Sequence, residues 1–520
     1  MEMSRIAFVT LGCKLNYAET STYERGLVAA GWEVVPWSDA SAGFFLVNTC
    51  SVTEHSDKKS RNIIRKLHRL CPDAGIVVTG CSAELRRSDI ERLPGVLRVF
   101  GATEKSAVIP WLLSLTTGGS PAALARRPKT FFSRVASGST ESILMLSARA
   151  EGLKPVGPAS KNSLVCLADA AGGIEDSHRI DRTSGHPRPD GGGGAQACLG
   201  GADCLQSGFW HPMDASEAAA SQSSRQDYSY FRAWSSGERT RSFLKVQDGC
   251  DYKCHYCTVP YARGESRNAP VAEVIEDAKA IAAQGIKEIV ITGVNTGDFG
   301  KSTGETFFEL LKSLDKVEGI ERYRISSIEP NLLTEEIIDW IAAGSKVLPH
   351  FHIPLQSGCD EVLKAMGRRY LTADFASKIE YIRKALEKPG KQKVFFGIDV
   401  IVGFPGETDE LFQQTYDFLK NVVKPAFIHI FPYSKRPGTP AAEMKNQVQD
   451  SVKTERVERL EALCDELHTA FVAANKGCRS KVLFEQKTRD GMAEGWSENY
   501  IKVTRSWKEG IVNSIEEIEL

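Results

Sequence analysis

The chain has no apolar run approaching the ~18 consecutive residues of a membrane-spanning helix. Its N-terminus, Met-Glu-Met-Ser-Arg before a short apolar run, lacks the basic, long-apolar, small-residue order of a secretory signal. The expectation is a cytoplasmic protein that does not touch a membrane. Net charge is also nearly absent: 65 Lys and Arg against 66 Asp and Glu leave -1, which excludes a protein that coats nucleic acid by bulk positive charge. With 42% hydrophobic residues over 520 positions, the chain can bury more than one core, and roughly 100 to 200 residues per domain suggests about three domains. An even cysteine count is missing too. Thirteen thiols in a chain without an export signal argue against a disulfide framework and for metal or redox chemistry.

Position sorts those thiols. Three lie far apart near the N-terminus (Cys13, Cys50, Cys81), three sit together mid-chain (Cys250, Cys254, Cys257), and seven (Cys71, Cys166, Cys198, Cys204, Cys359, Cys464, Cys478) follow no ligand pattern and read as small hydrophobes or incidental thiols. From residue 5 to 110, apolar runs Ile6–Thr10, Phe44–Val47 and Ile76–Thr79 alternate with helical stretches, one of them from about Ser56 to Leu70. This is the rhythm of a doubly wound parallel sheet. Cys13, Cys50 and Cys81 each fall just past the carboxyl end of one of these strands. Loops after parallel strands gather along one edge, so three distant thiols can converge on one site.

Residues 114 to 237 differ. Four consecutive glycines from Gly191 and scattered Ser, Ala and Pro offer no sustained period, so this stretch reads as a low-complexity flexible insertion. From Arg241 six strands are expected (Phe243–Gln247, Glu288–Thr292, Arg322–Ile328, Phe351–Ile353, Val394–Val402, Phe427–Phe431) with helices between them. They imply a partial (β/α)6 barrel whose site lies at the strand carboxyl ends. Residues 440 to 475 read as one long helix with Lys453, Arg456 and Arg459 on its polar side. Beyond Lys476 the pattern alternates, as in a small β-barrel.

The mid-chain thiols follow the first barrel strand with the spacing C-x3-C-x2-C. No second C-x2-C pair completes a zinc site, and His255, between two of the cysteines, would be strained as a fourth ligand. Soft thiolates favour an iron-sulfur cluster, and three ligands for four irons leave one iron open to a small molecule.

This loop resembles that of the radical S-adenosylmethionine (SAM) superfamily. Together with Thr10-Leu11-Gly12-Cys13-Lys14-Leu15-Asn16, Pro260-Tyr261-Ala262-Arg263-Gly264, the run from His352 to Gly358, the run from Asp399 to Thr408 and Phe431-Pro432-Tyr433-Ser434, it is similar to the methylthiotransferases. Cys13-Lys14-Leu15-Asn16 and Gln247-Asp248-Gly249 resemble the branch that acts on N6-threonylcarbamoyladenosine (t6A) at position 37 of the tRNA anticodon loop. The branches for isopentenyladenosine and for an aspartate of ribosomal protein S12 are the alternatives, and an iron-sulfur carrier without catalysis is a reading of another class.

The resemblance implies a methylthiotransferase domain over 1–113, the insertion over 114–237, a radical SAM core over 238–475 and a TRAM-like RNA-binding module over 476–520. It implies two [4Fe-4S] clusters, one on Cys13, Cys50 and Cys81 and one on Cys250, Cys254 and Cys257, with SAM as cofactor. Tyr256, Gly293, Gln356, Asp399 and Gly403 are the implied SAM contacts. The implied partners are tRNA, an electron donor and a sulfur source. Lys58, Lys59, Arg61, Arg65, Lys66 and Arg69, on the helix after Cys50, could contact phosphates, although a solvated helix face is the plainer reading.

Overall fold

A computed structural model describes residues 4–116, 164–166, 230–236 and 240–520. Parts of the expected insertion, including Cys198 and Cys204, lie outside the described residues.

The N-terminal sheet comprises β1 (Arg5–Thr10), β2 (Glu33–Val34), β3 (Phe44–Thr49), β4 (Gly75–Gly80) and β5 (Val96–Val99), all parallel in the order β2-β1-β3-β4-β5. Period-two alternation gives it two apolar faces. Ile6, Phe8, Phe44, Leu46 and Val77 pack against Tyr23 and Leu27 of α1 (Lys14–Ala29) and against Val108, Trp111 and Leu112. Ala7, Val9, Phe45, Val47, Ile76 and Val78 pack on the other side against Ile64 and Leu67 of α2 (Glu54–Leu70). Helices on both faces make the sheet doubly wound, as expected. The strand order reverses between β1 and β3, the place where such sheets open a crevice. After β4 the chain enters α3 (Cys81–Leu85), and α4 (Val108–Thr116) closes the domain.

Two short strands fall within the stretch read as patternless. β6 (Leu164–Cys166) pairs with β1, and β7 (Ala233–Trp234) runs antiparallel to β8 (Arg241–Lys245). The second is a clamp between domains: Arg25 of α1 donates to the Trp234 carbonyl (2.8 Å) and stacks over its ring. Strands of two or three residues show no period in the sequence, because their partners lie far away in the chain.

The barrel is built from β8, β11 (Glu288–Thr292), β12 (Arg322–Ile325), β13 (His350–Gln356), β14 (Phe395–Val402) and β15 (Phe427–Pro432). A small ribbon of β9 (Gln247–Asp248) and β10 (Arg267–Asn268) flanks the cysteine loop. Neighbouring barrel strands are parallel, and the bridge between Ser327 and His352 joins the first three to the last three. Ile289, Ile291, Ile325, Phe351, Ile353, Phe396 and Ile398 bury outward beneath the helices. The alternate positions, among them Glu288, Arg322, Arg324, His352, Asp399 and His429, share the opposite face, so the bore is polar.

The single helix expected over 440 to 475 is two. Pro440–Glu443 is a short turn of helix and Asp450–Ala474 a long helix; Asn446 between them holds φ 58, a left-handed conformation that a continuous helix cannot contain. Arg456 is not on a solvated side but buried, paired with Glu407 (2.8 Å) and Asp409 (2.8 Å). The chain ends in a curled four-stranded antiparallel sheet, β16 (Arg479–Lys487), β17 (Met492–Trp496), β18 (Lys502–Ser506) and β19 (Ile515–Glu519), in the order β18-β17-β16-β19. Among the described residues no helix is long and apolar enough to cross a membrane.

Candidate active site

The three N-terminal thiols converge. Cys13 caps α1, Cys50 follows β3 and Cys81 opens α3, all on the carboxyl edge of the sheet. Gly12 holds φ 103, and a Cβ there would lie 2.7 Å from the Cβ of Cys50 and 3.0 Å from its Sγ, so only glycine admits this approach. Gly80 is equally tight: a Cβ would sit 2.3 Å from the Thr49 carbonyl oxygen. Asn16 ties the loops together, its Nδ2 donating to the carbonyls of Leu11 (2.8 Å) and Thr49 (2.9 Å). Burial pushes the Cys50 thiol up to about 12, helped by the neighbouring thiols of Cys81 and Cys13, and burial also raises Cys81.

Beneath this triad lies a buried ionic cluster joining the two large domains. Lys105 and Lys245 each place Nζ 2.8 Å from Glu19 Oε1; Lys245 also reaches Asp248 Oδ2 (2.7 Å), Arg263 reaches Asp248 Oδ1 (2.8 Å) and Arg267 reaches Asp248 Oδ2 (3.3 Å). Among the described residues, Lys105, Lys245, Arg263 and Arg267 face Glu19 and Asp248, a local concentration of positive charge that suits a neighbouring anion. Arg263 supplies the link, since it donates to Asn16 Oδ1 (2.6 Å) and hydrogen bonds the Cys81 thiol. The donor set therefore fits an anionic, thiolate-bound cluster at Cys13, Cys50 and Cys81. These charges were not singled out from the sequence. Glu19 lies mid-helix and Lys245 in a strand, and nothing local marks either as buried.

Cys250, Cys254 and Cys257 share one loop after β9. Amide N–H groups of Tyr252 and Val259 donate to the sulfurs of Cys250 and Cys257 (3.4 Å each), and Arg368 Nη1 donates to Cys254 Sγ (3.2 Å). Burial lifts the thiols of Cys250 and Cys257 to about 12. Thiols this buried keep their protons until a metal cation displaces them, and the surrounding donors suit the sulfur charge that follows. His255 is bonded to the barrel, its Nδ1 2.7 Å from the Ala365 carbonyl. Arg368, which sequence reasoning missed, also pairs with Glu329 and donates to the hydroxyls of Tyr256 (3.4 Å) and Tyr370 (3.0 Å).

The implied SAM contacts fall around this loop and in the bore. Tyr256 packs with Phe404 and Met366. Gly293 follows β11, where a Cβ would approach Gln247 Oε1 to 3.0 Å; that oxygen accepts from the amides of Val294 and Asn295 (2.9 Å each). Gln356 ends β13 at φ 69, a strained conformation for a residue with a side chain. Gly403 ends β14 at φ 74, with its N–H donated to Glu407 (2.5 Å). Asp399 stands apart from them. It lies in the bore with Oδ1 2.6 Å from His352 Nε2, beside His429, and is held below the usual carboxylate range against its burial chiefly by His352. Burial takes His429 down to about 3, so it is neutral.

Of the remaining thiols, Cys71, Cys359 and Cys464 are buried as expected. On the exposed side of the basic helix α2, Lys58, Lys59, Arg65, Lys66 and Arg69 line an open groove of about 830 Å³ together with His55.

Comparison with known proteins shows the family to which such a chain belongs. Residues 244–419 match the Radical SAM superfamily and residues 5–101 match the uncharacterized protein family UPF0004. The threonylcarbamoyladenosine tRNA methylthiotransferase MtaB of Bacillus subtilis is 32% identical over 100% of this chain and 94% of its own length, and that of Aquifex aeolicus is 30% identical over 96% of each. A tRNA-2-methylthio-N(6)-dimethylallyladenosine synthase of Alkaliphilus oremlandii is 39% identical, but over only 47% of this chain and 50% of its own. The cofactors of such a protein are SAM and [4Fe-4S] clusters, the second cluster being typical of methylthiotransferases. With relatives this similar along its entire length, the chain belongs to the radical SAM tRNA methylthiotransferase family, in the branch named for threonylcarbamoyladenosine.

Proposed function

We propose that the protein methylthiolates C2 of t6A at position 37 of tRNA, giving 2-methylthio-t6A. The observation that carries this reading is the pair of thiol triads, one from the N-terminal sheet and one from the barrel, joined through Arg263 and the ionic cluster at the domain boundary. Cys250, Cys254 and Cys257 would hold the SAM cluster, and Cys13, Cys50 and Cys81 the auxiliary one.

The adenine C2–H bond is neither acidic nor easily displaced; the bound cofactors supply the radical chemistry that can break it. The chain supplies position and dryness. Tyr256, fixed by Arg368, would pack against the SAM adenine, Gly293 leaves room for the amino end, and Gln356 and Gly403 shape the strand ends. Asp399 stands deeper in the bore, where its charge is held by His352. The groove along α2 offers cations to the phosphates of the anticodon arm. Expected partners are an electron donor and a sulfur source.

Nucleoside mass spectrometry of tRNA from a strain lacking the protein tests the reading. Loss of 2-methylthio-t6A with accumulation of t6A is expected, and unchanged levels would refute it.

A further inference from the structure

The three sulfurs of the barrel loop are not met alike. Cys250 and Cys257 accept from neutral amides, whereas Cys254 accepts from the guanidinium of Arg368, a charge-assisted bond of 3.2 Å from Nη1. The Arg368 side chain is only 3% exposed, and every nitrogen of its fork is engaged. Nη1 also donates to the Tyr256 hydroxyl (3.4 Å), Nη2 donates to Glu329 and to the Tyr370 hydroxyl (3.0 Å), and Nε donates to that same hydroxyl (3.2 Å). Tyr370 in turn donates to the Leu355 carbonyl (3.0 Å) near the end of β13.

The backbone sets this reach. Arg368 follows the helix Asp360–Ala365, whose end turns at Gly367 (φ 73), and its N–H closes onto the Leu363 carbonyl (3.0 Å). His255, between Cys254 and Tyr256, grips the same helix end: its N–H donates to the Met366 carbonyl (3.0 Å) and its ring pairs with the Ala365 carbonyl. Loop and arginine are thereby fastened to each other.

One-electron reduction of an iron-sulfur cluster adds a unit of negative charge and no proton, so a cation fixed at a ligand sulfur stabilises the reduced form more than the oxidised one. Arginine suits that task because it stays charged at any working pH, and its planar fork is held here by Tyr256, Glu329 and Tyr370. The buried Glu329 carboxylate opposes it from the far edge of the fork. Resting on the reading that Cys250, Cys254 and Cys257 hold the SAM cluster, we propose that Arg368 sets the reduction potential of that cluster, raising it through Cys254 Sγ so that a one-electron donor can reduce it, and that Glu329 trims the rise.

The test uses the full chain reconstituted with iron and sulfide, poised with dithionite and redox mediators at one fixed pH and followed by electron paramagnetic resonance. The barrel-loop signal is the one that changes when SAM is added. Arg368→Gln should make reduction of that cluster about tenfold less favourable, a fall of about 59 mV for a one-electron couple. Arg368→Lys, which keeps the charge, should recover most of the loss. Glu329→Gln removes the opposing carboxylate and should move the potential upward, a reversal of sign that a role confined to packing does not produce. An unchanged potential in Arg368→Gln would overturn the proposal, as would a potential that fails to rise in Glu329→Gln. Should Arg368→Gln not retain iron, the Glu329→Gln shift decides. Failure of the ligand reading looks different: no wild-type signal would respond to SAM, or Cys254→Ala would keep the one that does.

Discussion

Cys250, Cys254 and Cys257 share one loop, held by local amide donors and Arg368, whereas Cys13, Cys50 and Cys81 are delivered by three strands and meet only when the sheet is complete. The first triad is set by spacing along the chain. The second is set by strand register, by glycines that let two loops touch, and by charges contributed from a different domain. A site of the second kind is more exposed to damage at a distance, because register and domain docking are global properties of the fold.

Removing a ligand separates the two triads most sharply. Cys50→Ala should halve the iron content and abolish methylthiolated product while SAM cleavage to 5'-deoxyadenosine continues; an end to cleavage would show that the triads are not independent. Next in size is the ionic cluster. Asp248→Asn withdraws one of the two carboxylates facing Lys245, Arg263 and Arg267, and breaking a buried pair typically costs about 3–5 kcal/mol. Urea unfolding should show that loss, and iron retention should fall at the N-terminal triad before the barrel loop.

A smaller effect is expected far from both triads. The Glu288 carboxyl, despite its burial, is held at about 2 by Arg322, Arg324 and Arg241, against an ordinary 4.5. Its contribution to stability is therefore complete above pH 4.5 and disappears as the pH falls toward 2. Acid unfolding monitored by tryptophan fluorescence should steepen in that window in the wild type and flatten in Glu288→Gln, with neither triad changing its iron content at neutral pH. The smallest effect is expected on the groove. The pair Lys58→Ala and Arg65→Ala should weaken tRNA binding and reduce the salt slope by roughly 0.9 for each phosphate that is no longer neutralised. An unchanged slope would return α2 to a solvated face.

Much of this was legible in the sequence where the cause was local. The six barrel strands alternate in period two, and the thiols stand at strand ends that parallel sheets bring together. What stayed hidden is long-range. Arg456 and Arg368 look like surface charges in helical or loop context, yet each is buried against a carboxylate from another element. The break near Asn446 carries no proline or glycine, so a helical period runs through it on paper. The cluster of Glu19, Lys105, Lys245 and Asp248 exists only because two domains dock.

At the other end of the barrel the docking adds a different kind of bond. Arg322 donates to the carbonyls of Lys481 (3.1 Å) and Trp496 (3.1 Å), and Arg324 to those of Ser497 (2.8 Å) and Glu498 (2.9 Å). All four bonds end on main-chain oxygen, which every residue possesses. These four bonds do not depend on which side chains the small module displays outward, so exposed positions such as Lys502 and Thr504 can change without touching them.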